Sequence, residues 1–389
     1  HSFNPDGAMK PLTSAVDVPV VLGMDVHQDT ISVCVFEPST GAICDQRTIQ
    51  NRPSRIKKYV RRVQRKFGEP HCCYEASSCG YVIYRQLRDM EVRCAVIAPT
   101  SIPRRSGDRV KTDRIDAEKL ATMFAGGLLT PIDVPDRAQE SARALIRARQ
   151  ALVEDRTRAK HRTTKFLQTR GLVFRDGNNW TKKHRRWLRT LELDPIDQDV
   201  LDTHLAMVDY LDVQIRSLDE TLEEVARFPR YDQPVQILKA FRGIDTNTAL
   251  TLSAEIGDIR RFEHPRQLMS YVGVVPSEES SGNRVKRGSI TKAGNKHARK
   301  ALVSAAWKYE HRPAVGATLK KRQEGLPPPV IATSWKAQKR LHKRFHALLY
   351  RRPRGVAAVA VARELCGFLW EALHHAVPQT DSTEMRQAA

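Results

Sequence analysis

"VPVVLGMDVHQDTISVCVFEPSTGAICDQRTI", residues 18–49, holds three strand-like runs in one short reach of chain. Residues 18–26 form an apolar run suited to a buried strand. Residues 30–38 alternate, and residues 41–49 supply a third strand after the "STG" turn. The elements beyond this meander decide the fold. Pro53 to Phe67 has the periodicity of a basic amphipathic helix, and "PHCCYEAS" (70–77) reads as a fourth strand. Gly80 to Met90 then reads as a helix, "RCAVIAP" (93–99) as a fifth strand and Asp113 to Leu128 as a third helix. A doubly wound Rossmann sheet alternates strand and helix from its start. Here a three-strand meander precedes the crossover units, and the order βββαβαβα predicts an α/β domain of the RNase H-like (RuvC) type.

That order gives a meaning to four acids. Asp25 lies in an apolar strand, where an unpaired carboxylate is costly and needs a cation or strong donors. Glu75 ends another predicted strand, and Asp113 and Asp116 open the third helix three residues apart, on one face, where like charges repel. In an RNase H-like sheet the first strand lies beside the fourth and the last helix packs across both, so the four carboxylates are expected to converge. Such a set can hold two Mg²⁺ ions about 4 Å apart that polarise a phosphodiester. Asp108, in the same stretch, stands outside the set. His27, two residues after Asp25, is read as a satisfied polar residue.

Composition points the same way. Lys+Arg 65 against Asp+Glu 44 gives a net charge of +21 over 389 residues, and a charge of that size implies a polyanionic partner, nucleic acid being the commonest. The charge comes in blocks: 15 Lys/Arg and 3 acids from Arg143 to Arg189, then 11 acids and one base from Glu192 to Val225. Seven bases and no acid stand between Arg284 and Lys300, and eight and none between Lys336 and Arg354. Such blocks suggest separate surfaces for partner helices and for phosphates. The seven cysteines are odd in number and show no metal-ligand spacing, so a reducing cytoplasm is expected. No apolar run reaches membrane-spanning length, and no membrane partner is expected. Residues 1–17 read as a tag remnant with a disordered N-terminus, and 378–389 as a disordered tail.

Beyond Pro131 and Pro135, Ser141 to Leu167 reads as a long basic helix. From Leu201 to Val225 apolar residues step by threes and fours in a coiled-coil-like seam with acidic flanks. The seam fits either self-association or an intramolecular hairpin with the basic helix before it. "LKAFRGIDTNTALTLSAEIGDIRRF" (238–262) has the shape of a helix-hairpin-helix, in which a helix start can receive a phosphate. Residues 278–302 read as a polar, Gly-punctuated loop running into a basic helix. Ser277, Ser280, Ser281, Ser289 and Thr291 stand there amid Arg284, Lys286, Arg287 and Lys292. The loop suits either phosphate binding or a nucleophilic hydroxyl in a positive pocket.

Together "GMDVHQ", "YEASS", "KTDRIDAEKLA", "FRGIDTNTALTLSAEIGD", "YVGVVP", "SSG" and "GSITKAGNKHARKAL" resemble the DEDD transposases of the IS110 insertion-sequence family, over roughly Val18 to Val377. The resemblance implies a DNA transposase guided by an element-encoded bridge RNA. Asp25, Glu75, Asp113 and Asp116 would be its metal-binding catalytic acids and Ser281 its nucleophile, forming a phosphoserine link. Arg284, Lys286, Arg287 and Lys292 would bind nucleic acid. It further implies a RuvC-like domain over 18–135, a helical coiled-coil domain over 136–229 and a mainly α serine transposase domain over 230–377. The partners would be donor and target DNA, guide RNA and further copies in a dimer or tetramer, with acids and serine meeting on assembly. The setting would be a bacterial or archaeal cytoplasm. The rival within the fold is a structure-selective nuclease, such as a junction resolvase, using water. An actin-like sugar kinase or ATPase would need a second phosphate loop that is absent from the sequence, and a non-catalytic scaffold would leave the four acids dispensable.

Overall fold

The apolar alternation that marks residues 18–97 as strands also sorts their side chains onto two faces. A computed structural model describes residues 18–103, 112–281 and 284–376. Residues 1–17, Asp108 and the tail from 378 lie outside the described residues. The chain divides into two compact units, one ending at Pro135 and the other starting at Asp136.

The first unit carries strands β1 (Val20–Val26), β2 (Thr30–Glu37), β3 (Ala42–Gln50), β4 (Pro70–Glu75) and β5 (Cys94–Ile97) in the spatial order β3-β2-β1-β4-β5. The β1–β2 and β2–β3 pairs are antiparallel, and β1–β4 and β4–β5 are parallel. The meander therefore adds its strands outward from β1, and the crossovers add theirs on the other side. Helix α1 (Pro53–Phe67) starts at Pro53, whose fixed φ suits a first helical position. With α2 (Val82–Asp89) it covers the face made by Val20, Leu22, Met24, Val33, Cys72, Tyr74 and Val96. Helix α3 (Asp113–Ala125) covers the opposite face, packing Ala117, Leu120, Ala121 and Phe124 on Val21, Cys34, Cys73 and Ile97. Alternate residues of one strand serve the two layers, as a period of two demands.

The second unit begins with α4 (Arg137–Gln168), α5 (Lys182–Leu188) and α6 (Pro195–Val225). Helices α4 and α6 run antiparallel: Arg149 pairs with Asp219, Arg156 with Asp212, and Arg170, just past α4, with Asp197. The seam residues Leu201, Val208, Leu211, Ile215 and Leu222 are buried within this chain. Of the two readings of the seam, the structure takes the intramolecular hairpin. Burial of each such side chain contributes about 1.5–3 kcal/mol, against about 0–1 for an exposed ion pair, so the seam and not the charges holds the hairpin.

Helices α7 (Pro229–Lys239) and α8 (Thr246–Ile256) form a short αα-hairpin, with α9 (Pro265–Val272) after it. At the start of α8 the Asp245 carboxylate accepts from the Thr248 amide, so an anion already occupies the position a phosphate would take. The expected polar loop at 278–302 is instead an antiparallel hairpin of β6 (Pro276–Ser281) and β7 (Arg284–Ile290). Its strands are mostly polar and gave no period-two signal. Cross-strand charge supports it, with Glu279 opposite Lys286 at 3.6 Å. Helices α10 (Lys296–Ala306), α11 (Ala317–Gln323), α12 (Pro328–Leu349) and α13 (Arg354–Ala376) complete the unit. Its core joins α7–α10, α12 and α13 with Ala142 and Ile146 of α4 and Leu222 of α6. Among the described residues no helix is long and apolar enough to cross a membrane.

Candidate active site

Two residues before Asp25, Gly23 lets α3 lie against β1. A Cβ at Gly23 would stand 2.3 Å from the Ala117 carbonyl oxygen and 2.7 Å from the Ala121 nitrogen. Asp25 shares Gly23's face and so is aimed at the start of α3. On β4, Met24 pairs with Tyr74, both packed in the α1–α2 layer, so Glu75, the next residue, stands beside Asp25 on the α3 side. Helix α3 opens with Thr112, whose hydroxyl accepts from the Ile115 amide, and places Asp113 and Asp116 in its first turn, where the helix dipole favours acids.

The fold therefore directs all four predicted acids to one end of the β1–β4 pair. The close contacts centre on Asp25 and Asp113. His27 Nε2 lies 3.2 Å from Asp25 Oδ2 and 3.5 Å from Asp113 Oδ2, and one donor atom from each of the three falls within 4.8 Å of the others. His27, read from the sequence as a satisfied polar residue, has its partner in Asp25, and it stands between two of the acids. Its signal in the sequence was its place immediately after the strand that carries Asp25. Burial raises the Asp25 pKa above the ordinary carboxylate value, His27 opposes the rise, and the charges of Asp113 and Asp116 add to it. A site that crowds carboxylates at this cost gains most from a cation.

In the second unit Ser281 ends β6 opposite Arg284, at the tip of the hairpin. The placement of the Ser280, Ser281, Arg284 and Arg287 side chains lies outside the described ones. Lys286 is exposed on β7, and Lys292 comes just after that strand with φ +55°.

Comparison with known proteins gives the family. Residues 22–170 match the DEDD transposase family of the IS110 type, and residues 235–319 match the family described as transposase IS116/IS110/IS902. The chain is 36% identical over 355 residues to y4qE of Sinorhizobium fredii, which carries the name of a transposase, covering 90% of this chain and 87% of that one. It is 31% identical over 338 residues to the transposase for insertion sequence element IS1533 of Leptospira borgpetersenii, covering 85% and 96%. This chain belongs to the IS110/IS116/IS902 family of insertion-sequence transposases. DNA is accordingly the substrate of this transposase, and its DEDD domain implies a divalent metal. The residues fit one: Asp25, His27 and Asp113 offer two hard oxygen donors and one imidazole nitrogen around a common point.

Proposed function

We propose that this transposase is an RNA-guided DNA recombinase that cuts and rejoins strands through a phosphoserine at Ser281. Its first unit acts as a RuvC-type domain with Asp25, Glu75, Asp113 and Asp116 as metal-binding acids. The observation that carries the reading is the convergence of Asp25, His27 and Asp113 in a DEDD transposase domain. Two Mg²⁺ ions held there would stabilise charge on the attacked phosphodiester. In the second unit Ser281 stands on a hairpin strand facing Arg284, with Lys286 and Arg287 further along β7 and Lys292 just beyond it. These cations suit a phosphate that gains charge during transfer.

In the chemistry we propose, Ser281 Oγ bonds to phosphorus and gives its proton to solvent. The bridging ester oxygen leaves with the electron pair of its bond and takes up a proton. A hydroxyl from the exchanged strand then attacks the phosphoserine and releases Ser281. The number of phosphodiesters is conserved, and no external energy source is needed.

Guide RNA and DNA backbones suit exposed cations that have no ion pair among the described residues, among them Arg162, Lys165, Arg175, Lys182, Arg186 and Arg189, and Lys339 and Lys343 on α12. The coiled-coil domain (136–229), the serine transposase domain (230–377), homo-oligomeric assembly and a cytoplasmic setting belong to the same proposal.

The test is a denaturing gel with labelled DNA. Wild type in Mg²⁺ should give a protein-linked band that Ser281→Ala and EDTA each abolish, and peptide mapping should place the adduct on residue 281. Cleavage by Ser281→Ala at the wild-type rate, with no adduct in either protein, would make water the nucleophile and refute the proposal.

A further inference from the structure

Helix α8 is apolar on nearly every side, with Leu250, Leu252, Ala254 and Ile256 all buried, yet its next-to-last residue is Glu255, whose side chain is 0% exposed. A buried carboxylate must be met by donors. Arg147 of α4 meets it with both prongs, Nε to Oε1 at 2.8 Å and a terminal nitrogen to Oε2 at 2.9 Å, and Arg143 Nε stands 3.7 Å from Oε2. The remaining donor comes from elsewhere in the chain: Asn295 Nδ2 gives a hydrogen bond to Oε2 at 2.7 Å. Main-chain carbonyls at the end of α8 are answered by the same neighbours. Ala254 O accepts from Gln139 and Arg143, and Glu255 O accepts from Arg143 and the Tyr271 hydroxyl. Burial pushes the Glu255 carboxyl up, but hydrogen bonds from Arg147 and Asn295 and the nearby guanidinium charges outweigh it and hold the group ionised below its ordinary pKa.

Asn295 ties this cluster to the hairpin because it faces two ways. Its Oδ1 caps α10, accepting from the amides of His297 and Ala298, while its Nδ2 reaches Glu255. Its own amide bonds to Tyr271 O. Nearer the hairpin, Lys292 N bonds to Gly273 O and Thr291 N to Val275 O, and these rungs lead directly into the β6–β7 pair. The two sides of this stem are so close that a Cβ at Gly294 would stand 2.0 Å from Tyr271 O. Asn295 is thus the foot of the hairpin, and Glu255 is what that foot stands on.

We propose that Glu255 is a positioning residue, which, through Asn295, fixes the β6–β7 hairpin relative to α4 and α8 and so sets where Ser281 is held. The proposal rests on the reading of Ser281 as the nucleophile, but its structural half can be judged alone.

The test inverts the polarity of one hydrogen bond in the full-length protein. Asn295→Asp keeps the cap acceptor for α10 but turns the donor toward Glu255 into a second carboxylate oxygen. Glu255→Gln added to it restores a bond with the donor on the other side. Hydrogen exchange at the amides of residues 291, 292 and 295 should quicken at least about tenfold in Asn295→Asp, with a lowered melting temperature that the double variant restores and with DNA affinity kept. Phosphoserine formation in a single turnover should slow on the order of 10²-fold, the scale of a 1 Å misplacement. The double variant should recover both. Unchanged exchange in Asn295→Asp, or a double variant no better than the single, would overturn the proposal. Should wild type form no phosphoserine, the Ser281 reading falls, and the exchange data alone decide the role of Glu255.

Discussion

Gly23→Ala is a direct test of how the acidic site is built. The new methyl would stand 2.3 Å from Ala117 O, 2.7 Å from Ala121 N and 2.9 Å from Ala121 Cβ. An ordinary contact to the carbonyl needs about 3.3 Å, and the obstacle is helix backbone, so α3 must lift by roughly 1 Å, an overpacking cost of about 1–3 kcal/mol. For a unit of this size that is a fall in melting temperature on the order of 5–15 °C. The larger effect is on the site. Asp113 and Asp116 travel with α3, whereas Asp25 and Glu75 stay with the sheet. A displacement of that size costs on the order of 10²-fold in rate when reacting groups must be held in register. Thermal denaturation and single-turnover cleavage in Mg²⁺, with Gly126→Ala as the control, measure both. At Gly126 the new methyl meets only contacts of 3.5 Å or more. A Gly23→Ala protein with wild-type melting and wild-type rate would refute the claim that α3 rests on this glycine and carries two of the acids.

Burial sets two further outcomes. His71 is 7% exposed on β4 against Phe124, and burial holds its pKa down at about 4, so the folded state binds its proton less readily than the unfolded chain does. Stability should therefore be full above pH 6.5 and fall as the pH drops from 6.5 to 4, by roughly 3 kcal/mol from this residue; His71→Leu should flatten that part of the stability–pH curve, and an unchanged slope would place the acid lability elsewhere. Leu211, 6% exposed in the α4–α6 seam, should cost about 2–5 kcal/mol as Leu211→Ala with oligomer mass by light scattering unchanged. A lower mass with unchanged melting would return the seam to an interface between copies.

The sheet was legible because its strands carry their own signal. Apolar runs and alternation over residues 18–97 place five strands within a residue or two of their observed ends, and Pro53 marks the start of α1. The hairpin of β6 and β7 was not legible, since Ser-Glu-Glu-Ser-Ser and Arg-Val-Lys-Arg carry a single apolar residue between them and so have the composition of a loop. Glu255 escapes a sequence reading for a different reason. Its partners Arg147 and Asn295 lie 108 and 40 residues away in sequence, and periodicity reports only neighbours. A clue was nonetheless present: "LTLSAEI" is too apolar around its circumference for a surface helix, so its single acid had to be buried and partnered. Gly23 offered the same kind of clue, a glycine inside a strand marking a close approach.

The blocks of charge show where composition misleads. Read as surfaces, the basic run 143–189 and the acidic run 192–225 invite two partners, a phosphate backbone and a foreign helix. In the structure they answer each other. Arg149 holds Asp219, Arg156 holds Asp212, Arg170 holds Asp197, and Arg185 holds both Asp209 and Asp212. On another face of α4, Arg143 and Arg147 are given to Glu255, Gln150 contacts His297, and Glu154 holds Lys300. The inversion of sign is thus largely an instruction for folding the hairpin antiparallel: an α6 slipped along α4 would set Arg149 and Arg156 against the wrong residues. What remains for the proposed nucleic-acid contacts is the smaller exposed set that no carboxylate holds among the described residues, Arg162, Lys165, Arg175, Lys182, Arg186 and Arg189. Counterions leave the phosphates that free cations neutralise, so the proposed binding should take its salt dependence from these residues and not from all 15 that composition counts.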